Sequence, residues 1–156
     1  MREAEFTNSV YAILQTALLC IFALVFFLDE RPLLFPPEMS RTAGSVLCVI
    51  GLLLMFSAFA AIRGAVQIAP APKRGAQLAT TGVYRKLRHP IYTAILLLVI
   101  GLSLRKPTAT IAATAAAVVV FLMIKVRFEE QLLLARYPEY AGYRNRTWGL
   151  IPGVRR

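Results

Sequence analysis

Four apolar runs constrain this chain more than any other feature. They cover roughly residues 10–28, 43–62, 91–104 and 107–124. The first two are close to the ~20 residues a helix needs to cross a bilayer. No water is available inside the hydrocarbon layer, so such runs must satisfy their own backbone groups and form helices. The third run is short. A helix beginning at Pro90 still reaches the interface if Arg105 and Lys106 snorkel outward from its far end. The chain is 58% hydrophobic and 17% charged, which argues against a soluble globule. The fold predicted is all-α: one polytopic membrane domain spanning residues 1–156, with about four transmembrane helices. The last two form a hairpin turned at Leu104-Arg105-Lys106-Pro107, and a C-terminal amphipathic interfacial helix follows.

Run one reads as a retained helix. Its leader holds Arg2 but also Glu3 and Glu5, and Asp29-Glu30-Arg31-Pro32 follows it where a cleavage site would show small residues. The net charge of +10 resembles a nucleic-acid signal until it is mapped. With four spans, the N-terminus, the loop 63–90 and the tail from 125 share one side, and they hold 14 of the 18 Lys and Arg residues. That asymmetry places both termini in the cytoplasm by the positive-inside rule and favours contact with anionic membrane lipids. No base-reading module accompanies it, so nucleic acid is not an expected partner. Cys20 and Cys48 lie inside predicted spans with no CxxC neighbour and read as small apolar packing residues.

The two halves differ in character. Residues 1–62 read as two scaffold helices joined by a loop that Pro32, Pro36 and Pro37 keep from being helical. Gly44, Ser45 and Gly51 offer a small-residue face for close helix packing. Residues 63–81 form a connector broken by Pro70 and Pro72, and Thr80-Thr81-Gly82 turns the chain back to the membrane. The Ala-rich stretch 109–117 is expected to pack the fourth helix tightly on the third. Lys125–Arg136 continues as an amphipathic helix, with Leu132, Leu133 and Leu134 on the interface, and Pro138 ends it at or before Tyr137. The aromatic and basic segment 140–148 is expected to lie on a headgroup layer.

Two constellations carry chemistry. In Arg88-His89-Pro90-Ile91-Tyr92, Pro90 suits the first helical position and holds His89 extended, leaving its backbone groups open to a ligand. The following helix start favours a carboxylate, and Tyr84 and Tyr92 offer π faces to a purine or a sulfonium. The same residues equally suit an interfacial anchor with His89 as a cap. Glu129-Glu130 is a carboxylate pair on the basic side. It suits a ligand's ammonium or ribose hydroxyls, or ion pairs with Lys125, Arg127 and Arg136. One histidine and two membrane-buried cysteines cannot assemble a zinc set, so no metal is expected. No nucleophilic triad, P-loop or GxGxxG cluster is present.

Taken in order, Leu78, Gly82, Tyr84, Arg88-His89-Pro90, Tyr92, Glu129-Glu130, Tyr140, Tyr143 and Ile151-Pro152 resemble the isoprenylcysteine carboxyl and phospholipid methyltransferase superfamily of membrane enzymes. The resemblance covers about residues 76–153 and implies methyl transfer from S-adenosyl-L-methionine at the cytoplasmic face to a lipidic or isoprenylated acceptor. It makes residues 63–156 the cofactor-binding half. Leu78, Ala79, Tyr84, His89, Pro90, Ile91 and Tyr92 would surround the cofactor, with Glu129 at its polar end. Lys125 would contact the acceptor, where isoprenylcysteine enzymes carry an arginine. The basic cluster Arg85, Lys86, Arg88 and Lys125 would favour an anionic acceptor. Two departures from the pattern are Ala76-Gln77 before the leucine and Tyr137-Pro138 in place of an aromatic-Gly pair. Competing readings are a sterol-type reductase using NADPH, which is usually longer, and a non-catalytic four-helix subunit with a basic tail.

Overall fold

The computed structural model describes residues 2–36, 38–63 and 79–154. Among the described residues there are five α-helices, α1 (Arg2–Leu28), α2 (Glu38–Arg63), α3 (Pro90–Arg105), α4 (Ala109–Arg136) and α5 (Tyr140–Arg146), with a 3₁₀ turn at Gly82–Arg85 before α3. The segments Ser9–Leu28, Ser40–Ile62 and Ala109–Arg136 are long and apolar enough to cross a membrane, and α3 is a shorter apolar helix. The all-helical, four-span reading therefore holds, with α3 the short member as expected. Pro90 is the first residue of α3, and α4 stops at Tyr137 ahead of Pro138. In both places the pyrrolidine ring sets the boundary.

α1 packs antiparallel against α4, and α2 against α3. The core is a stripe on α4, Ile111, Ala115, Val118 and Leu122, facing Ile95, Leu96 and Val99 of α3 and Phe22 of α1. Its spacing is that of one helical face. Of the Ala-rich stretch only Ala115 reaches this core; Ala112, Ala113, Ala116 and Ala117 face outward. Tight packing onto α3 is thus the work of larger side chains, because small residues in a row cover every face of a helix and only one face can meet a neighbour.

Close approach occurs instead between α2 and α3. A Cβ on Gly44 would collide with the Gly101 carbonyl oxygen, and one on Gly101 would lie 2.7 Å from Cys48 Sγ. The small-residue face of α2 finds its partner within the chain. Backbones at this distance gain dispersion contact that a side chain would block.

The loops at the far end are tied together. Leu34 N–H donates to the Pro107 carbonyl at 2.7 Å, and the Thr108 hydroxyl donates to the Asp29 carboxylate. Thr108 is fully buried and also caps α4 by accepting from Ile111 N–H at 3.2 Å. The hydrogen bond from Thr108 holds the Asp29 carboxyl below its ordinary range, helped by the Arg31 amide and charge. Arg105 is exposed and bonds Ser45. Lys106 does not snorkel outward: its Nζ donates to the Phe26 carbonyl at 2.9 Å. The open carbonyls at the C-terminus of α1 are a better partner for that cation than the water it would otherwise reach.

Gly44→Ala is expected to lower stability by roughly 1–3 kcal/mol, the usual cost of overpacking. Gly142→Ala is the control, since nothing lies within 4 Å of its missing Cβ. Thermal unfolding in detergent should separate the two variants clearly.

Candidate functional site

The site is built where the connector meets α3. Gly82 has φ +57, and a Cβ there would sit 2.9 Å from the Ala61 Cβ. Only glycine both adopts that left-handed backbone freely and leaves room for α2. The turn then buries Tyr84 against Ala58 and Ile62 of α2, with Ala79, Val83 and Ile91 packed around it. Burial, with Tyr143 nearby, pushes the Tyr84 phenol up to about 12, and burial alone does the same for Tyr143. Both therefore stay neutral donors. Tyr143 Oη donates to the Tyr84 carbonyl at 2.6 Å, fixing the turn from the other side.

Arg88 points inward from this turn. Its side chain is 1% exposed, and its Nε donates to Glu130 Oε1 at 2.8 Å. Its Nη1 donates to the carbonyls of Arg144 at 2.7 Å and Thr147 at 2.6 Å. His89 Nε2 lies 3.3 Å from the same Glu130 oxygen. A carboxylate only accepts, so that nitrogen carries the proton in this contact. Arg144 Nε lies 3.3 Å from Glu130 Oε2. One buried carboxylate thus binds the turn, α4 and α5 together.

Glu129 faces elsewhere. Its Oε1 accepts from Tyr92 Oη at 2.6 Å, and Lys125 Nζ stands 3.8 Å from that oxygen. The ammonium also sits 5.1 Å over the Tyr92 ring. Among the described residues no donor reaches Glu129 Oε2, although the side chain is 12% exposed. The rings of His89 and Tyr92 lie nearly parallel, 14° apart with centroids at 5.8 Å.

The tail is docked onto the turn and the head of α3. Leu87 and Trp148 form a parallel bridge, with Arg88 N–H donating to the Trp148 carbonyl and Trp148 N–H to the Lys86 carbonyl, both at 2.8 Å. Thr93 Oγ1 donates to the Leu150 carbonyl at 2.6 Å. Tyr140, Tyr143 and Thr147 are buried. In segment 140–148 the aromatic side docks onto the turn, and the exposed side carries Asn145 and Arg146.

The sequence-predicted residues divide accordingly. Tyr92, His89, Glu129 and Lys125 converge, and Pro90 is buried at the head of α3. Tyr84 and Ile91 are brought alongside, but the Tyr84 ring belongs to the small core on α2 and presents no open face. Ala79 packs on that same core, and Leu78 lies outside the described residues. The His89 carbonyl is not free: it accepts from Thr93 N–H at 3.0 Å and Thr93 Oγ1 at 3.1 Å. Arg88 is neutralised by Glu130 and adds no charge for an acceptor, whereas Arg85 and Lys86 are exposed. Sequence reasoning missed Glu130 as the keystone. Helical spacing held the clue, because Lys125 shares a face with the residue four positions on, which is Glu129, and the next residue points about 100° away.

An antiparallel helical membrane bundle with a turn, a tyrosine and a carboxylate converging at one end defines a class of membrane-embedded domain. Residues 39–140 match the phospholipid methyltransferase family, and the chain belongs to that family. It is also 32% identical over 81 residues to the nickel-cobalt-cadmium resistance protein NccN of Alcaligenes xylosoxydans xylosoxydans, a match covering 51% of this chain and 38% of that protein. It is 35% identical over 78 residues to the cobalt-zinc-cadmium resistance protein CzcN of Cupriavidus metallidurans, covering 48% of this chain and 35% of that protein. The shared segment is thus little more than a third of either relative. Among the described residues, no group of three or more His, Cys, Asp or Glu is placed to hold a metal ion.

Glu130→Ala is expected to cost about 3–5 kcal/mol, because it leaves the Arg88 guanidinium buried without its counter-charge. Arg88→Met combined with Glu130→Leu should cost clearly less than the sum of the single changes. A double-mutant cycle by chemical denaturation in detergent measures the coupling.

Proposed function

We infer that this domain is an S-adenosyl-L-methionine-dependent methyltransferase acting on a lipidic or isoprenylated acceptor at the cytoplasmic face of a membrane. Membership of the family supports the reading. The observation that carries it to particular residues is the Tyr92–Glu129 contact, which closes a span of 37 residues and leaves Glu129 Oε2 without a described donor. A carboxylate beside two aromatic rings fits a cofactor bearing an ammonium and a sulfonium. The Tyr140 hydroxyl is buried, has no partner among the described residues, and lies within the electrostatic reach of Glu130 and Arg88. It is a further spare donor for the cofactor's polar groups.

When bound, the cofactor supplies an already activated methyl group, whose bonding pair stays with sulfur as the acceptor's lone pair takes the carbon. The protein's share is mainly alignment and exclusion of water. Glu129 would take the amino-acid ammonium, with Tyr92 holding its carboxylate in line. His89, Pro90 and Ile91 would wall the adenosine side, with Ala79 and Tyr84 behind them; Leu78 joins this set on the resemblance alone. Arg88 and Glu130 would hold the two walls at a fixed distance. Lys125 would stand toward the acceptor, which reaches it laterally from the bilayer. The basic bias of the N-terminus, connector and tail favours the cytoplasmic assignment of this end. The resistance in the names of the two relatives belongs to those longer proteins.

Glu129→Gln and His89→Ala should each weaken S-adenosylhomocysteine binding by about tenfold, the worth of one charge-assisted contact. Neither should unfold the protein, since Gln still accepts from Tyr92 and Glu130 keeps Arg88 and Arg144. Isothermal titration of purified protein with S-adenosylhomocysteine, and separately with NADPH, is the measurement. Wild-type affinity in both variants would remove the site assignment, and binding of NADPH alone would remove the methyl-transfer reading.

A further inference from the structure

A groove lies at the end of the bundle opposite Glu129, where α1 runs out beside the start of α4. Its volume is about 460 Å³, within the range of small-molecule sites. At about 1.5 Å per residue, Thr110 on its edge and Glu129 stand roughly 28 Å apart along α4. Leu24, Val25 and Leu28 of α1 form the apolar wall, and Glu30, Arg31 and Thr110 stand at its polar end. Positions 24 and 28 are one turn apart on one helix face. The wall therefore runs along the span Ser9–Leu28, while Glu30 and Arg31 sit just beyond its last residue. An amphiphile with its head at the membrane boundary has this outline.

Arg31 is held at the rim by Asp29. That carboxylate accepts from Arg31 N–H at 3.2 Å, stands 3.8 Å from its Nε, and is itself bonded by the buried Thr108. The Arg31 side chain is 69% exposed, and Glu30 beside it is exposed as well. Thr110 supplies the third feature, because its Oγ1 is buried and has no hydrogen-bond partner among the described residues. A helical threonine ordinarily bonds the carbonyl three or four positions back. Here the Pro107 carbonyl is engaged by Leu34 N–H and the Lys106 carbonyl by Thr108 N–H. An unmade hydrogen bond costs stability, and a turn about χ1 presents the hydroxyl to the groove that its own residue lines. A cation, a carboxylate and a hydroxyl match a phosphate, an ammonium and an ester carbonyl. We propose that the groove holds one zwitterionic glycerophospholipid, with its phosphate on Arg31, its ammonium on Glu30 and an ester carbonyl on Thr110. One acyl chain then runs along Leu24 and Leu28. The groove shares no residue with the candidate site, so the proposal stands apart from the methyl-transfer reading.

The test is equilibrium binding of radiolabelled dilauroyl phosphatidylethanolamine to the whole protein in dodecyl maltoside micelles, with dilauroyl phosphatidylglycerol as the comparison lipid. Wild type should bind the zwitterionic lipid saturably. It should bind phosphatidylglycerol, which keeps the phosphate but lacks the ammonium, about tenfold more weakly, the worth of one contact to a charge. Arg31→Gln should weaken binding of both lipids by about the same factor. Glu30→Gln should remove the preference between them. Thr110→Val is the decisive variant: it deletes an unpartnered hydroxyl at nearly constant shape, so the melting temperature without lipid should hold or rise while lipid affinity falls severalfold. Lys125→Met, at the far end, should bind the lipid as wild type does. Uptake that does not saturate, or that is alike for the two lipids in wild type, is ordinary solvation of an apolar helix face and overturns the proposal. Wild-type affinity in both Arg31→Gln and Thr110→Val overturns it too, as does a loss confined to Lys125→Met, which would assign the bound lipid to the other end.

Discussion

The buried pair of Arg88 and Glu130 is the interaction on which the working end of this protein depends. It joins residues 42 apart in sequence, and the same guanidinium reaches carbonyls 56 and 59 residues on. A buried ion pair holds only if its remaining donors and acceptors are satisfied. Here Glu130 also accepts from His89 and pairs with Arg144, and Arg88 donates to the carbonyls of Arg144 and Thr147. The turn before α3, the C-terminal end of α4 and the tail are therefore one unit. Loss of Glu130 would leave the Arg88 charge buried and uncompensated, whereas loss of His89 or Arg144 leaves the central pair in place.

Two adjacent carboxylates then divide the labour. Successive helical positions diverge by about 100°, so Glu130 turns into the junction while Glu129 turns toward Tyr92 and Lys125. The first is spent on architecture. The second is held in a fixed orientation by the Tyr92 phenol, with Lys125 alongside, and no described donor reaches its Oε2. A preorganised charge of this kind loses little on binding, because its alignment is already set by the junction behind it.

Local chemistry made much of this legible in the sequence. Pro90 and Pro138 set helix boundaries because a proline acts on its immediate neighbours, and the apolar runs announce spans because the bilayer tests length and composition alone. The Gly44 and Gly51 face was readable for the same reason, although its partner, Gly101, was not. What sequence reasoning lacked were the long-range partners. Lys106 turning to the Phe26 carbonyl, Tyr143 reaching the Tyr84 carbonyl, and Trp148 pairing with the connector each join segments whose separation only the fold removes. The tail was read as interfacial because aromatic and basic residues suit a headgroup layer. They suit a buried polar junction equally well, and composition does not separate the two.

The short third span has a consequence for chemistry that length alone explains. At about 1.5 Å per residue, the 16 residues of α3 rise roughly 24 Å and the 28 of α4 roughly 42 Å. The two helices meet at the tight turn around Lys106-Pro107, so α3 gives out well before α4 does. Its first residues arrive beside Glu129 and Glu130, and α4 continues for six more positions to Arg136. A step is left above the head of α3, and α5 with the extended residues after it folds back across it through Thr147, Trp148 and Leu150. Two helices of equal length would have carried His89 and Tyr92 past Glu129 and Glu130. The mismatch keeps them at the level of Lys125, where α4 faces α1.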